Sequence, residues 1–360
     1  MVNTRIWHAN TKEWEREALN EAAAVLRDGG TVAFPTETVY GLGADARDDA
    51  AVARIFEAKG RPSDNPLIVH IANLEQLDEL VLPYGEAAQR LMARFWPGPL
   101  TIVLPVKPGA VSQRVTAGLD TLAVRMPDHP VALQLIESSG CPIAGPSANR
   151  SGRPSPTRAE HVKDDLDGRI DGIVDGGPAG VGLESTVVEI DGDAVRILRP
   201  GGITAGALRE ITGRVIHDVE AVPDEATGAA VRAGTIEAPR SPGMKYTHYA
   251  PKGLMQLVIG DAGDVTAYIK EQAAAARSRG ERAGILAFAE HGACYEGDDT
   301  VIVGSLSQLE TAAQGLYAAL RTFDERGAQY IWAEGCPQEG IGHALMNRLV
   351  KAAGHRIVRV

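Results

Sequence analysis

The sequence has 360 residues, of which 44% are hydrophobic and 23% are charged, and its formal net charge is −11. This composition is typical of a folded protein with two domains of ordinary size, and it excludes a mainly disordered chain. The apolar runs are far shorter than the ~18 residues of a membrane span, and residues 1–10 lack the apolar stretch of a secretory signal. The three cysteines, Cys141, Cys294 and Cys336, are widely separated, which excludes a disulfide framework and a zinc cluster. The sequence therefore predicts a cytoplasmic protein with no metal site of its own.

Both parts of the chain are acidic. Residues 1–213 carry 21 Lys and Arg against 29 Asp and Glu, and the remaining residues carry 15 against 18. Neither part has the basic excess that drives binding to a nucleic-acid backbone, so stable nucleic-acid binding is not expected. Because net charge does not say where the charges lie, a local cationic pocket for a small anion is compatible with this composition.

Helices and strands mix without strict alternation in residues 1–213. Apolar periodicity and helix-stop residues predict helices at 13–27, 50–58 and 86–95. Short apolar runs predict strands at 31–34, 67–71, 101–105, 122–125, 143–144, 173–174, 186–190 and 195–198. This mixture predicts an α/β domain with a twisted, mixed sheet.

The second part of the chain shows a linker and then a regular alternation. Residues 219–240 are poor in large apolar side chains, and we assign the inter-domain linker to residues 214–252. Over residues 253–360 we expect strands at 255–259, 284–288, 300–303 and 329–333, and helices at 265–278, 309–326 and 342–353. Such alternation predicts a smaller, three-layer, Rossmann-like α/β domain with a mostly parallel sheet.

A loose dinucleotide-binding pattern, G-x-G-x-x-A, occurs at residues 41–46. The true fingerprint follows its strand at once, whereas six residues separate this segment from the predicted strand at 31–34. We therefore interpret residues 41–46 as a tight turn.

Three polar segments follow predicted strands or helices and carry groups suited to a ligand. They are PTETVYG at 35–41, KGRPSDNP at 59–66 and GPSANRSGRPS at 145–155. Hydroxyls, a carboxylate, closely spaced cations and small residues in such loops are typical of a site that binds a phosphorylated ligand. Each also has a purely structural interpretation: a turn that caps a following helix, a cation at a helix C-terminus, and a polar surface loop.

Two further segments stand out. Arg199 precedes Pro-Gly-Gly at a predicted strand end and is either a third anion contact or a surface charge. Residues 241–251, SPGMKYTHYAP, place large side chains in a linker that otherwise lacks them. We interpret this segment as a lid over the cavity of the first domain, and packing between the domains is the alternative.

Taken together, these motifs resemble those of the threonylcarbamoyl-AMP synthase family in its long, two-domain form. The resemblance rests on 35–43, 59–62, FWPGPLT at 95–101, VRMP at 124–127, SAN at 147–149, ESTV at 184–187, LRPG at 198–201 and 241–251. One departure is Thr247, where many relatives carry a basic residue. The resemblance implies a YrdC-like first domain with a concave, locally cationic cavity.

The family joins L-threonine, bicarbonate and ATP into threonylcarbamoyl-AMP and pyrophosphate. Mg²⁺ is expected to enter with ATP, because the sequence offers no carboxylate cage. The resemblance further implies that a tRNA threonylcarbamoyl transferase receives the product and modifies the adenosine next to the anticodon.

The resemblance also implies roles for individual residues. The expected catalytic group is Lys59, Arg61, Ser147 and Asn149. The expected threonine-binding residues are Thr36, His70, Arg125, Gly145 and Ser185. The expected nucleotide-binding residues are Lys59, Ser63, Thr121, Ser147, Ser155, Arg199 and Tyr249.

Two other classes of function are alternatives to this one. An RNA-binding maturation factor without chemistry of its own would need a basic patch that the net charge does not suggest. A carbamoyl-transfer module used in maturing another enzyme would come with acylphosphatase or zinc-finger segments, and the cysteine spacing excludes zinc fingers.

Overall fold

The computed structural model describes residues 2–9, 15–217 and 249–360. These residues form an eleven-stranded sheet and a separate five-stranded sheet, each with its own helices. No helix among them is long and apolar enough to cross a bilayer.

The larger sheet is twisted and mixed, as predicted. Its strands are β1 (Arg5–His8), β2 (Val32–Phe34), β3 (Gly41–Asp45), β4 (Ile68–His70), β5 (Leu100–Pro105), β6 (Thr121–Arg125), β7 (Ile143–Ala144), β8 (Gly172–Asp175), β9 (Thr186–Asp191), β10 (Ala194–Arg199) and β11 (Arg214–His217). They follow the order β1-β8-β2-β3-β7-β4-β6-β5-β9-β10-β11. Parallel pairs such as β4–β6 and β5–β9 occur beside antiparallel pairs such as β5–β6 and β9–β10.

Helices pack on this sheet and enclose its core. They are α1 (Glu15–Arg27), α2 (Asp49–Lys59), α3 (Leu74–Leu80), α4 (Glu86–Phe95), α5 (Gln113–Thr116), α6 (Pro130–Ser139), α7 (Ala159–Leu166) and α8 (Ala205–Thr212). The helix predicted at 86–95 is confirmed to the residue, because its strong amphipathic pattern ends at Trp96-Pro97. Asp48 caps α2 by accepting from the amides of Ala50 and Ala51, and Gly60 ends it in the left-handed conformation.

The interpretation of residues 41–46 as a tight turn was wrong. Residues 41–45 form β3, which pairs antiparallel with β2 and β7. A Cβ at Gly43 would lie 2.7 Å from Ile143 and 2.9 Å from Phe34, so glycine is needed for these side chains to pack against the strand. The turn at 35–40 consequently leads into a strand, and the alternative in which it caps a helix fails as well.

The five-stranded sheet is fully parallel. It comprises β12 (Leu254–Ile259), β13 (Ala283–Phe288), β14 (Thr300–Gly304), β15 (Tyr330–Glu334) and β16 (Ile357–Arg359), in the order β14-β13-β15-β12-β16. The helices are α9 (Ala262–Ser278), α10 (Leu309–Arg326) and α11 (Gly342–Ala352), with a 3₁₀ helix at Ala289–Tyr295. α9 packs on one face of the sheet, and α10 and α11 pack on the other. The predicted three layers are therefore present.

The start of the predicted linker needs correction. Residues 214–217 form β11, which pairs parallel with β10, so the first sheet extends beyond residue 213. The pattern missed this strand because its four residues are at most half-buried and carry little apolar periodicity.

The two sheets are joined through α10. Gly182 lies against this helix so closely that a Cβ would come within 2.4 Å of the Gln314 Cα. Gly182 also has a φ of +78°, which favours glycine. Next to this contact, Arg321 of α10 donates to Asp165 of α7 at 2.9 Å, and both side chains are buried. The second domain thus contacts the first through close backbone packing and a buried ion pair.

Candidate functional site

A cavity of about 630 Å³, partly open to solvent, lies against the larger sheet. It is bounded by the turn after β2, by β4 and β6, by the loop after β7, and by the start of β9 and the end of β10. Its lining residues are Thr36, Thr38, Val39, Gly41, Arg61, Ile68, His70, Arg125, Gly145, Pro146, Ser147, Asn149, Glu184, Ser185, Arg199 and Tyr249. Three arginines against one carboxylate make this lining cationic, although the chain as a whole is acidic.

All five residues predicted to bind threonine line this cavity. Thr36 is fully buried, and its hydroxyl donates to the Val39 carbonyl at 2.7 Å, which fixes the turn. Gly145 lies against His70, because a Cβ there would be 3.1 Å from the imidazole Nδ1. The fold thus brings these five positions together from five separate segments of the chain.

Arg125 has two partners that the sequence analysis did not assign to the site. Its Nη1 donates to the Thr38 hydroxyl at 2.9 Å, and its Nη2 lies 2.5 Å from Glu37 Oε2. Both charged groups are almost completely buried, so each offsets part of the desolvation cost of the other. The available signal was the motif PTET itself, in which a carboxylate is flanked by two hydroxyls.

His70 is a neutral imidazole at neutral pH. Burial, with a smaller contribution from the Arg125 guanidinium, lowers its pKa to about 3. Its ring packs edge-on against Phe34, with the ring centroids 5.6 Å apart. A neutral ring beside Arg125 leaves the arginine as the positive charge at this end of the cavity.

This burial predicts a pH dependence of stability. In the unfolded chain His70 binds a proton below about pH 6.5, but in the folded chain it does so only near pH 3. The unfolded state therefore binds more protons between these values, and acidification from pH 6.5 towards 4 lowers the free energy of unfolding by up to about 1.4 kcal/mol per pH unit from this group. Urea unfolding across this range is expected to show a shallower pH slope in His70→Gln than in wild type. Equal slopes would show that His70 is not buried in the neutral form.

Ser147 and Asn149 lie in the loop after β7 and line the cavity. The Asn149 amide donates to the carbonyls of Arg150 and Arg153 at 2.9 and 2.8 Å, which fixes its orientation. Its Oδ1 is buried and has no hydrogen-bond partner among the residues that the structure describes. This oxygen is therefore available to accept a hydrogen bond from a ligand.

Lys59 supports this loop from behind and does not line the cavity. Its ammonium is buried and donates to the Ser147 carbonyl and, at 2.5 Å, to the Asn149 carbonyl. Burial and the nearby Arg61 hold the pKa of Lys59 well below its usual value. Lys59 is therefore placed to position Ser147 and Asn149, whereas Arg61 reaches the cavity itself.

Besides Lys59, three residues predicted to bind the nucleotide lie outside the cavity lining. Ser63 is exposed in the segment after α2. Thr121 begins β6, four residues or about 13 Å of extended chain before Arg125. Ser155 is fully buried and its hydroxyl donates to Glu184 Oε1 at 2.6 Å, so this side chain serves the carboxylate.

Arg199 lines the cavity and is almost completely buried, which excludes the surface-charge alternative. Its Nε and Nη2 donate to the Ser185 carbonyl at 3.1 and 3.0 Å, and Nη2 also reaches the Ser185 hydroxyl at 3.1 Å. The same hydroxyl lies 2.7 Å from that of Thr101. The start of β9 and the end of β10 are thereby held together at the cavity wall.

Glu184 is a lining residue that the sequence analysis left without a role. Nearby Arg348 and Arg199 and the hydrogen bond from Ser155 hold its pKa at about 2 although burial opposes ionisation. Two residues of the second domain bind it: Tyr317 donates at 2.8 Å and Arg348 at 2.9 Å. The motif EST marked Glu184, but nothing in the helical pattern around Tyr317 and Arg348 distinguished them from ordinary helix residues.

Residues 249–251 are the part of the predicted lid that the structure describes, and Tyr249 is the large side chain among them. Its side chain lines the cavity and is 5% exposed. The other large side chains of the predicted lid, those of Lys245, Tyr246 and His248, lie outside the described part of the chain, and so does the departure at Thr247.

Two family models match the chain in succession. Residues 24–201 match the Sua5, YciO and YrdC family, described as "Telomere recombination", and residues 203–354 match the "Threonylcarbamoyl-AMP synthase, C-terminal domain". A threonylcarbamoyl-AMP synthase of Bacillus subtilis is 54% identical over 339 residues, which are 94% of each chain. The chain belongs to the threonylcarbamoyl-AMP synthase family.

A solved structure supports the assignment to this family. The structure described as Pyrococcus abyssi Sua5 complexed with L-threonine is 44% identical, has a TM-score of 0.89, and covers 99% of this chain and 100% of that one. The curated threonylcarbamoyl-AMP synthase of the same organism is 46% identical over 350 residues, 97% of each chain. The resemblance inferred from the motifs and the predicted two-domain α/β fold are both confirmed.

Proposed function

We propose that this chain is a nucleotidyltransferase that makes threonylcarbamoyl-AMP and pyrophosphate from L-threonine, bicarbonate and ATP. The observation that carries the proposal is the cavity itself. Its lining combines three arginines with small and hydroxyl-bearing residues, although the protein as a whole is acidic. Similarity to a Pyrococcus abyssi relative whose structure contains L-threonine supports the choice of amino acid.

L-threonine is expected at the end of the cavity that holds Thr36, His70 and Arg125. A guanidinium presents two parallel donors that match a carboxylate, and Arg125 is the buried cation of this end. Glu37 and Thr38 hold the guanidinium in place through their contacts at 2.5 and 2.9 Å. The neutral imidazole of His70 adds no second positive charge that would compete for the carboxylate.

The phosphates of ATP are expected near Arg61 and Arg199. The threonine amine and bicarbonate first form a carbamate with loss of water. The carbamate oxygen then attacks the α-phosphorus, the bond from this phosphorus to the α,β-bridging oxygen breaks, and pyrophosphate leaves with the electron pair. Negative charge then grows on the phosphate oxygens, and fixed arginines lower the energy of that arrangement. Because a carbamate is already anionic, no strong general base is required.

Mg²⁺ enters as part of the substrate, bound to the triphosphate and water, and neutralises charge on the leaving pyrophosphate. Asn149 offers its free Oδ1 to a donor on the nucleotide. In this proposal the chain passes threonylcarbamoyl-AMP to a tRNA threonylcarbamoyl transferase in the cytoplasm. The chain itself does not bind tRNA stably.

Pyrophosphate release tests the proposal against its main alternative. With ATP and Mg²⁺ present, release is expected only when L-threonine and bicarbonate are both added, because neither alone makes the carbamate. An RNA-binding factor would instead bind tRNA with a steep salt dependence and release no pyrophosphate. A carbamoyl-transfer module would carry acylphosphatase or zinc-finger segments. Residues 203–354 instead match the C-terminal synthase domain.

A further inference from the structure

Arg348 of α11 reaches across the domain boundary into the wall of the cavity. Its side chain is fully buried, its Nε donates to Glu184 Oε2 at 2.9 Å, and its Nη1 donates to the Pro200 carbonyl at 2.9 Å. Glu184 directly precedes Ser185, and Pro200 directly follows Arg199. One guanidinium therefore ties together the two chain segments that present Ser185 and Arg199 to the cavity.

The Glu184 carboxylate is occupied by these contacts. Oε1 accepts from Ser155 at 2.6 Å and from Tyr317 at 3.1 Å, and Oε2 accepts from Tyr317 at 2.8 Å and from Arg348. Buried carboxylate oxygens with this many donors have little capacity left for a ligand. Glu184 thus acts as a link between the cavity wall and the second domain.

The same two residues of the second domain hold Tyr249. The ring centroids of Tyr249 and Tyr317 lie 5.3 Å apart, and the Arg348 guanidinium lies 5.5 Å from the Tyr249 ring. Tyr249 has a φ of +69°, which is uncommon for a residue with a Cβ. Such a backbone conformation persists only where surrounding contacts impose it. α10 and α11 consequently help to fix its position at the cavity, together with the hydrogen bond from the Ala250 amide to the Gly152 carbonyl of the first domain.

Among the residues expected to bind L-threonine, Ser185 adjoins this link, whereas Thr36, His70 and Arg125 at the opposite end receive no hydrogen bond or ion pair from the second domain in the described part of the chain. These three residues belong to the first sheet and its turns, and so do Val39 and Thr38, to which Thr36 and Arg125 donate. Loss of the Arg348 or Tyr317 side-chain contacts therefore acts mainly on the nucleotide end of the cavity.

We propose that Arg348 and Tyr317 are positioning residues for the nucleotide end of the cavity, acting through Glu184, Pro200 and Tyr249. The second domain is then a part of the ATP site, whereas L-threonine binding is a property of the first domain. The identity of the two ligands rests on the proposed function.

Two conservative variants of the full chain test this. Tyr317→Phe removes the hydroxyl and keeps the ring, and Arg348→Lys keeps the charge but loses the paired donors. We expect the Kd for ATP, measured by calorimetry, to rise about threefold to tenfold in Tyr317→Phe, which loses the hydroxyl shared between the two Glu184 oxygens, and more than tenfold in Arg348→Lys. The Kd for L-threonine is expected to stay within about twofold. Arg326→Gln, an α10 variant whose guanidinium pairs with Asp299 of its own domain, serves as the control and should change neither.

A double variant examines the route of the effect. If Arg348 acts through Glu184, Glu184→Gln combined with Arg348→Lys should weaken ATP binding by less than the product of the two single effects. Unchanged ATP affinity in both conservative variants, or equal losses for ATP and L-threonine, would overturn the proposal, and so would a wild-type chain that binds no ATP. Failure of the proposed function is a separate result: wild type would bind ATP but release no pyrophosphate with L-threonine and bicarbonate.

Discussion

Arg61→Ala is expected to lower the rate of threonylcarbamoyl-AMP synthesis by about two orders of magnitude or more. The Arg61 side chain lines the cavity beside the loop that carries Ser147 and Asn149. Its charge would stabilise the phosphate oxygens most strongly in the transition state, so kcat should fall more than the affinity for ATP. Steady-state pyrophosphate release at several ATP concentrations separates the two quantities.

Arg90→Ala is a matched control for this experiment. Arg90 lies on α4, is about half-exposed, and pairs only loosely with Glu86 at 3.9 Å. We expect it to leave synthesis unchanged, because exposed ion pairs contribute little. A folded Arg61→Ala chain that keeps near-normal turnover would remove this arginine from the proposed mechanism.

Lys59→Ala is expected to have an effect of similar size for a different reason. Removing the ammonium leaves the buried carbonyls of Ser147 and Asn149 without their donor, at about 1–3 kcal/mol for each unsatisfied group. The loop should then move, and Asn149 with it, so that both stability and synthesis fall. We expect at least a hundredfold loss of turnover together with a lower urea midpoint.

Lys163→Ala provides the comparison, since Lys163 is exposed on α7. It should behave as wild type in both measurements. If Lys59→Ala lost stability but kept its turnover, the loop position would be shown not to matter for the chemistry.

The sequence predicted the cavity lining better than the contacts behind it. Asn149 was recognisable because it lies in a loop dense in polar side chains after an apolar segment, whereas Arg125 ends strand β6 and was indicated by the resemblance to the family. Ser155 and Lys59 were placed in the right region, but their partners are Glu184 and backbone carbonyls. Which way a side chain turns depends on tertiary neighbours, and one sequence does not reveal them.

The fold was predictable where a local pattern was strong. α4 and α10 were placed to the residue, because amphipathic periodicity and clear end signals coincide there. β3 was missed because its glycines suggest a turn, whereas they make room for the Phe34 ring.

The contacts of the second domain with the cavity wall were the largest feature that the sequence did not predict. Arg348 and Tyr317 lie on ordinary-looking helices, and their contacts with Glu184 join residues more than 130 positions apart. No periodicity or motif spacing encodes a pairing of that kind, so only the three-dimensional structure could find it.

The most direct test of the central claim is to follow carbon from bicarbonate into the nucleotide product. The wild-type chain is incubated with ATP, Mg²⁺, L-threonine and ¹³C-labelled bicarbonate, and the products are examined by mass spectrometry. We expect a species with the mass of threonylcarbamoyl-AMP that carries the label, and that disappears when L-threonine is omitted. Pyrophosphate release with no labelled adenylate, or a labelled adenylate that forms without L-threonine, would contradict the account.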